Sequence, residues 1–247
     1  KSKAVKPMGS KSADLRYLAF VSSDPADTCW TVLRAAAKGD NTARSTFSRS
    51  YLSTVRDFFA QRWHGRVLMA DVDDASQEVF IECLKPGGAL ERAEESRGEF
   101  RGLLFGVARN VGRRFEERAA ERGRLRPEDS AWLQQAASDE PGQATMFDRS
   151  WARALMRTAK KRHRELAIEA DGDAGRRRIE LLERRFGDDQ AVRDIAAAWG
   201  VDAQEVHNAY RKARTEFYRC LREAVAFHAP ADADLDAECR RLLGMLR

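Results

Sequence analysis

Two apolar stripes with helical spacing, separated by a Gly/Pro break, set the tightest limit on what this chain can fold into. From Asp71 the sequence runs DVDDASQEVFIECL. Val72, Ala75, Ser76, Val79, Phe80, Cys83 and Leu84 recur there at i, i+3, i+4 and i+7, the period of a core-facing helix. Lys85 to Gly98 interrupts the pattern with Pro86-Gly87-Gly88. EFRGLLFGVARNVGRRFEER then restores it, with Phe100, Leu103, Leu104, Val107, Ala108, Val111 and Phe115 inward. A strand would alternate at every second residue, and neither stretch does. With six prolines and few Val/Thr/Tyr runs elsewhere, the fold class is all-α, as two helical domains joined by a flexible linker.

The faces opposite these stripes are chemically specific. Asp74, Gln77, Glu78 and Ile81 share a second stripe of the first helix. It is acidic and amide-rich with one apolar residue at its end, which a solvated face does not need and a docking face does. The second helix presents Arg101, Phe105, Arg109, Asn110, Arg113 and Arg118. An exposed aromatic among guanidinium groups suits an unpaired base, the ring stacking while the arginines hold phosphate. Gly102 and Gly106 lie one turn apart, each costing about 1 kcal/mol of helix propensity relative to Ala. That cost predicts close approach of a neighbouring helix.

Residues 1–13 form a basic, polar tail, and order begins near Asp14. Asp27-Thr28 precedes a short helix carrying Trp30, Val32, Leu33 and Ala36. After a Lys38-Gly39-Asp40 turn, Ala43 to Trp63 turns Phe47, Tyr51, Val55, Phe58 and Phe59 inward. The first domain spans 14–121. Residues 122–144, with Gly123, Pro127, Pro141 and Gly142, read as a linker. The second domain spans 145–228. It opens with a helix bearing Phe147, Trp151, Ala154, Leu155 and Thr158 on one face. Ile168, Ile179, Leu182 and Phe186 continue the apolar signal around a break at Asp171–Gly175. An extension, 229–247, closes the chain with an acidic run and an amphipathic helix through Leu235, Cys239, Leu242, Leu243 and Leu246, expected to pack back on the second domain.

Within the second domain, DDQAVRDIAAAWGVDAQEVHNAYRKARTEFYRCLR has the pattern of a helix-turn-helix. Val192, Ile195, Ala196 and Trp199 form a buried stripe, and Gly200 supplies the positive φ that ends the helix. Asp202 and Glu205 have the spacing of a capping box. Val206, Ala209, Tyr210, Ala213 and Phe217 then face inward, and Gln204, His207, Asn208, Arg211 and Arg214 outward. Donors and acceptors near a helix N-terminus, followed by basic residues, are what a major-groove reader needs.

Composition narrows the function. The chain has 247 residues, 44 basic and 39 acidic, for a net charge of +5. That balance fits a protein that touches DNA weakly alone and gains affinity within a larger complex. There is no Ser/His/Asp set, P-loop or clustered carboxylates, so neither an enzyme nor a cofactor is expected. Cys29, Cys83, Cys220 and Cys239 contain no Cys-x-x-Cys pair. A Cys220/His228/Cys239 set matches no common zinc spacing, so no metal is expected and the thiols are reduced. No apolar run approaches the roughly 20 residues of a membrane span. The N-terminus lacks a signal-peptide core, and a cytoplasmic location follows.

Taken together and in order, these motifs resemble the extracytoplasmic-function, group IV, RNA polymerase sigma factors of the sigma-70 family. Region 2 of that group is matched by Asp73-Asp74, Gln77-Glu78-Val79-Phe80, Phe100-Arg101 and Ala108-Arg109-Asn110. Region 4 is matched by Ile195-Ala196, Trp199-Gly200-Val201, Asp202, Val206 and Lys212-Ala213-Arg214. The chain departs from the family where Trp is usual near Gly102 or Leu103, and where Lys212 replaces Arg. The resemblance implies a subunit that directs RNA polymerase core to promoters. Asp74, Gln77, Glu78 and Ile81 would meet the clamp helices, with the polymerase flap as a second contact. Arg97, Arg101, Phe105, Arg109, Asn110 and Arg113 would hold the opened, single-stranded −10 element, and the Glu95–Gly98 loop would take a flipped base. Gln204, His207, Asn208, Arg211, Lys212 and Arg214 would read the −35 duplex. An anti-sigma factor is a further candidate partner. The alternative is a stand-alone helix-turn-helix transcriptional regulator, which binds duplex DNA without polymerase.

Overall fold

The structure is a computed structural model and describes residues 29–94, 100–126, 129, 132–133, 139–229 and 233–246. Among these every regular element is helical, and no strand occurs. The order is α1 (Cys29–Ala37), α2 (Asn41–Arg62), a 3-10 turn (Val67–Asp71), α3 (Val72–Leu84), α4 (Phe100–Glu121), α5 (Glu140–Phe186), α6 (Val192–Trp199), α7 (Ala203–Ala226) and α8 (Leu235–Met245). None of these helices is long and apolar enough to cross a membrane.

Local chemistry sets most of the ends. Asp40 caps α2 by accepting from the Ala43 amide at 2.7 Å. Asp73 and Asp74 lie in the first turn of α3, where carboxylates oppose the positive end of the helix dipole. Asp139 caps α5, and Pro141 sits in its first turn, where a missing amide costs nothing. Residues 140–144, read from sequence as the end of the linker, are therefore the opening of a helix.

The inward stripes of α2 and α3 are as the period requires. Phe47, Val55, Phe58, Phe59, Ala75 and Val79 are fully buried, and Phe59 stacks on Trp63 with centroids 4.8 Å apart. In α4 the stripe is rotated. Phe100, Leu104, Ala108 and Val111 are buried, but Leu103, Val107 and Phe115 are only partly so, and Gly112, Glu116 and Ala119 take their place. Glu116 explains the rotation. It is buried against α2, where Arg62 meets it through Nε at 2.6 Å and Nη2 at 2.9 Å, and the Trp63 indole donates at 2.9 Å. The glycine that admits a neighbouring helix is Gly112, where a Cβ would lie 3.2 Å from the Phe59 ring and 3.6 Å from Arg62 Nε. A Cβ at Gly102 or Gly106 would meet nothing within 4 Å, so the close approach expected at those two does not occur.

One hydrophobic core runs through α1 to α4 and continues into Phe147, Trp151, Leu155 and Ala159 of α5, Leu221 and Val225 of α7, and Cys239 and Leu242 of α8. It thus draws on both expected domains and on the C-terminal helix, which packs back on α5 and α7 as its apolar face predicts. The Cys29 amide donates to the Phe227 carbonyl at 2.8 Å, joining the start of α1 to the end of α7. Tyr51, Trp151 and Phe227 surround His228, whose Nδ1 lies 3.2 Å from the Tyr51 hydroxyl.

α5 is two arms rather than one rod. Gly172 leaves the helical region, at φ 51° and ψ −115°. Arg164 donates to Glu183 at 2.8 Å, although continuous helix would hold residues so spaced about 28 Å apart. The chain therefore reverses at Gly172, and the backbone at Gly175 closes so tightly on the Ala167 carbonyl that a Cβ has no room. The second arm, residues 173–186, packs with α6 and the start of α7 around a smaller core of Leu181, Ile195, Ala196 and Val206.

Candidate nucleic-acid interface

The turn between α6 and α7 has the geometry of a helix-turn-helix. Gly200 is left-handed, at φ 65° and ψ 34°. Its amide donates to the Ala197 carbonyl at 3.3 Å, and the Val201 amide donates to Ala196 at 3.1 Å. This paired closure is the one a glycine makes possible after a helix. Asp202 then caps α7 by accepting from the Gln204 amide. Ile195 and Val206 are buried on either side of the turn.

Gln204, His207, Asn208, Arg211 and Arg214 are all exposed along the outer face of α7. Asn208 Oδ1 accepts from Gln204 at 3.3 Å and from Arg211 at 3.4 Å, so three of these side chains form one polar strip. Arg214 lies over the Tyr210 ring at 5.7 Å. Lys212 does not join the strip. Its ammonium is 2.9 Å from Asp171, at the end of the first arm of α5. The strip borders a groove of about 1730 Å³, whose other wall carries Lys160, Lys161 and Arg164 of α5 and the exposed ring of Phe186. Phe186 continues the apolar signal of the sequence but is exposed here, and periodicity singles out none of these basic residues. The run Lys160-Lys161-Arg162-His163-Arg164 was the available signal.

A buried polar network ties this unit to the arms of α5. Arg178 grips Glu216 of α7 through Nε at 3.0 Å and Nη2 at 3.1 Å, and reaches Asp171 at 2.6 Å. His163 Nε2 lies 3.3 Å from the same Glu216. Hydrogen bonds from Lys212 and then Arg178 hold the Asp171 carboxyl below the usual carboxylate range. Burial lowers the His163 pKa, with the Glu216 carboxylate opposing the shift.

On α3, Asp74, Gln77 and Ile81 are exposed, Ile81 to 56 %, and Glu78 is half-buried. Arg114 of α4 lies 3.5 Å from Glu78 and 3.0 Å from Glu82. The 3-10 turn before α3 adds an exposed Met69 that periodicity did not single out. The stripe is thus a surface with an apolar anchor and charged surround.

The α4 face differs more from expectation. Arg97 lies outside the described residues, as does the Glu95–Gly98 loop. Asn110 and Arg113 are exposed, as is Arg118, which lies over Phe115. Phe105 is not an open ring. It packs on Phe58 at 6.2 Å and Phe147 at 5.5 Å. Arg109 pairs with Glu140, and Arg101 Nε lies 3.5 Å from Asp148 while Nη1 reaches the Met245 sulfur at 3.6 Å. The opening of α5 covers this face because its own apolar stripe needs the same core.

No disulfide links the four buried cysteines. Burial pushes the Cys83 thiol up to about 12 and Cys220 to about 11, so both stay protonated and weakly nucleophilic. Among the described residues no three His, Cys, Asp or Glu side chains gather as a metal site. Comparison with known proteins yields no match for this chain, whether to a family model, to a curated protein or to a solved structure.

Proposed function

We propose that this chain is a transcription-initiation subunit of the extracytoplasmic-function sigma type, which binds RNA polymerase core and brings it to promoter DNA. The observation that carries this reading is the α3 stripe of Asp74, Gln77, Glu78 and exposed Ile81 in the same chain as a helix-turn-helix with an open polar strip on α7. A DNA-binding motif alone accounts for the second feature but gives the first no role. In this reading the α3 stripe docks on the polymerase clamp, the polar strip reads duplex −35 DNA, and α4 holds the opened −10 strand. In this reading the segment between α4 and α5 joins two helical domains that part to span both elements. Capture of an unpaired base offsets a few kcal/mol of unstacking.

A second reading, the stand-alone regulator, is favoured by the core that α1 to α4 share with α5, α7 and α8. Gel-shift on promoter fragments with and without core polymerase separates the two. The sigma reading expects a specific shift only with core, and expects Asp74→Lys with Glu78→Lys to abolish co-purification with core. Like-charge contact at an interface costs several kcal/mol, whereas both positions lie off the buried stripe of α3, so the circular dichroism is expected to stay unchanged. Specific binding without core, or core binding that survives the double reversal, favours the regulator.

A further inference from the structure

We propose that the opening turns of α5 are a releasable clasp over the α4 face, filling it with side chains that imitate nucleic acid. The inference rests on the reading of α4 as a single-strand site. Arg101, Phe105 and Arg109 lie one turn apart along α4, and each is met by α5. Glu140 pairs with Arg109, Phe147 packs on Phe105 with ring centroids 5.5 Å apart, and Asp148 lies 3.5 Å from Arg101. The two segments run antiparallel, each covering about 12 Å of helix between its outer contacts, although Phe147 and Asp148 are adjacent in sequence while Phe105 and Arg101 lie a turn apart. Carboxylates stand where phosphates would bind the arginines, and a phenyl ring stands where a base would stack.

The polar parts of the clasp are built to release. The side chains of Glu140 and Asp148 are 57 % and 34 % exposed, so their ion pairs are screened by solvent and salt. A cavity of about 590 Å³ persists beside Asp148, with Trp30, Arg92 and Glu94 on one wall, Arg101 and Phe105 at its floor, and Ala144 and Asp148 on the other. A polyanion entering there meets Arg101 while the carboxylates are displaced. Closure also explains how one core can run through segments that must separate when two promoter elements are spanned.

The test is binding of a fluorescein-labelled oligothymidylate to the full chain at low salt, read by anisotropy. Glu140→Gln with Asp148→Asn removes the competing charges and leaves the buried Phe147 in place. This variant is expected to bind about two- to thirtyfold tighter, the range that two exposed ion pairs span. The charge-matched control, Glu169→Gln with Asp173→Asn on either side of the Gly172 reversal, is expected to bind as wild type. Adding Arg101→Ala and Arg109→Ala should remove the gain. Hydrogen exchange on the wild-type chain gives a second readout, in which oligothymidylate speeds exchange at residues 140–148. Equal affinity of wild type and the Gln/Asn variant, with both weakened by the arginine changes, overturns the clasp and leaves α4 as a single-strand site. If the arginine changes affect neither protein, the reading of α4 falls and takes the clasp with it.

Discussion

Removing the Glu116 carboxylate should destabilise the protein more than removing it together with its partner. Arg62 and Glu116 are only 2 % and 7 % exposed at their side chains, and joined at 2.6 and 2.9 Å. Glu116→Leu deletes both bonds, deletes the acceptor of the Trp63 indole, and leaves a guanidinium buried without its counter-charge. Loss of one partner from such a pair costs about 3–5 kcal/mol. Arg62→Met in the same chain removes the orphaned cation. What remains unsatisfied is the Trp63 N–H, at about 1–3 kcal/mol. The double variant is therefore expected to be about 2 kcal/mol more stable than the single. Urea unfolding followed by tryptophan fluorescence and circular dichroism measures this. At slopes of about 2–3 kcal/mol per molar, the single change should lower the midpoint by about 1–2 M. The difference should persist at high salt, because buried pairs are little screened. A midpoint for Glu116→Leu close to wild type, or a double variant less stable than the single, would refute this account of how α4 is held on α2.

Three further outcomes are expected. Enclosure by Tyr51, Trp151 and Phe227 pushes the His228 imidazole from 6.5 down to about 3. The unfolded chain therefore takes up that proton first. Stability is full above about pH 6.5 and falls toward pH 3 by up to about 1.4 kcal/mol per pH unit. His163, also lowered, adds in the same direction, and His228→Phe should flatten the pH dependence of the urea midpoint. Arg211→Ala should weaken specific promoter binding by about 1–3 kcal/mol if it reads a base edge, and equally on all sequences if it holds phosphate; competition gel-shifts distinguish these. Phe105→Ala should cost about 1–3 kcal/mol of stability, below the range for a fully buried ring, because Phe58 and Phe147 cover it; an unchanged urea midpoint would return Phe105 to the surface.

How much of this could be read from the sequence depended on whether a residue's partner lay within its own helix period. The α3 stripe was fully legible because a solvated helix with one buried face obeys 3.6-residue spacing and nothing else. Gly200 was legible because a helix end followed at once by a second helix needs a left-handed residue. The rotation of α4 was hidden, since its cause is the distant Arg62, and no local pattern marks Glu116 as buried. The same holds for Phe105 and Phe186. Each lies at the boundary of an apolar stripe, and tertiary packing covered the first and left the second 70 % exposed. The Asp171–Gly175 break was visible as a break, but its geometry as a reversal depends on Arg164 meeting Glu183. At the candidate site, the exposure of Gln204, His207, Asn208, Arg211 and Arg214 follows from the period of α7, whereas no local pattern shows that Asp171 stands beside Lys212.

The unbroken run of α7 makes it a lever. Its first half carries the polar strip, while Cys220, Leu221, Ala224 and Val225 are buried where α7 packs on α5 and α8. From Cys220 to the start of the helix is about 26 Å. A tilt of about 5° at the locked end displaces the strip by about 2 Å, roughly half the distance between stacked base pairs in a duplex. The Arg178–Glu216 bridge sits near the fulcrum. Any repacking of the main core, however small, is therefore magnified at the tip, and a substitution far from the groove can shift the strip without touching a residue of it.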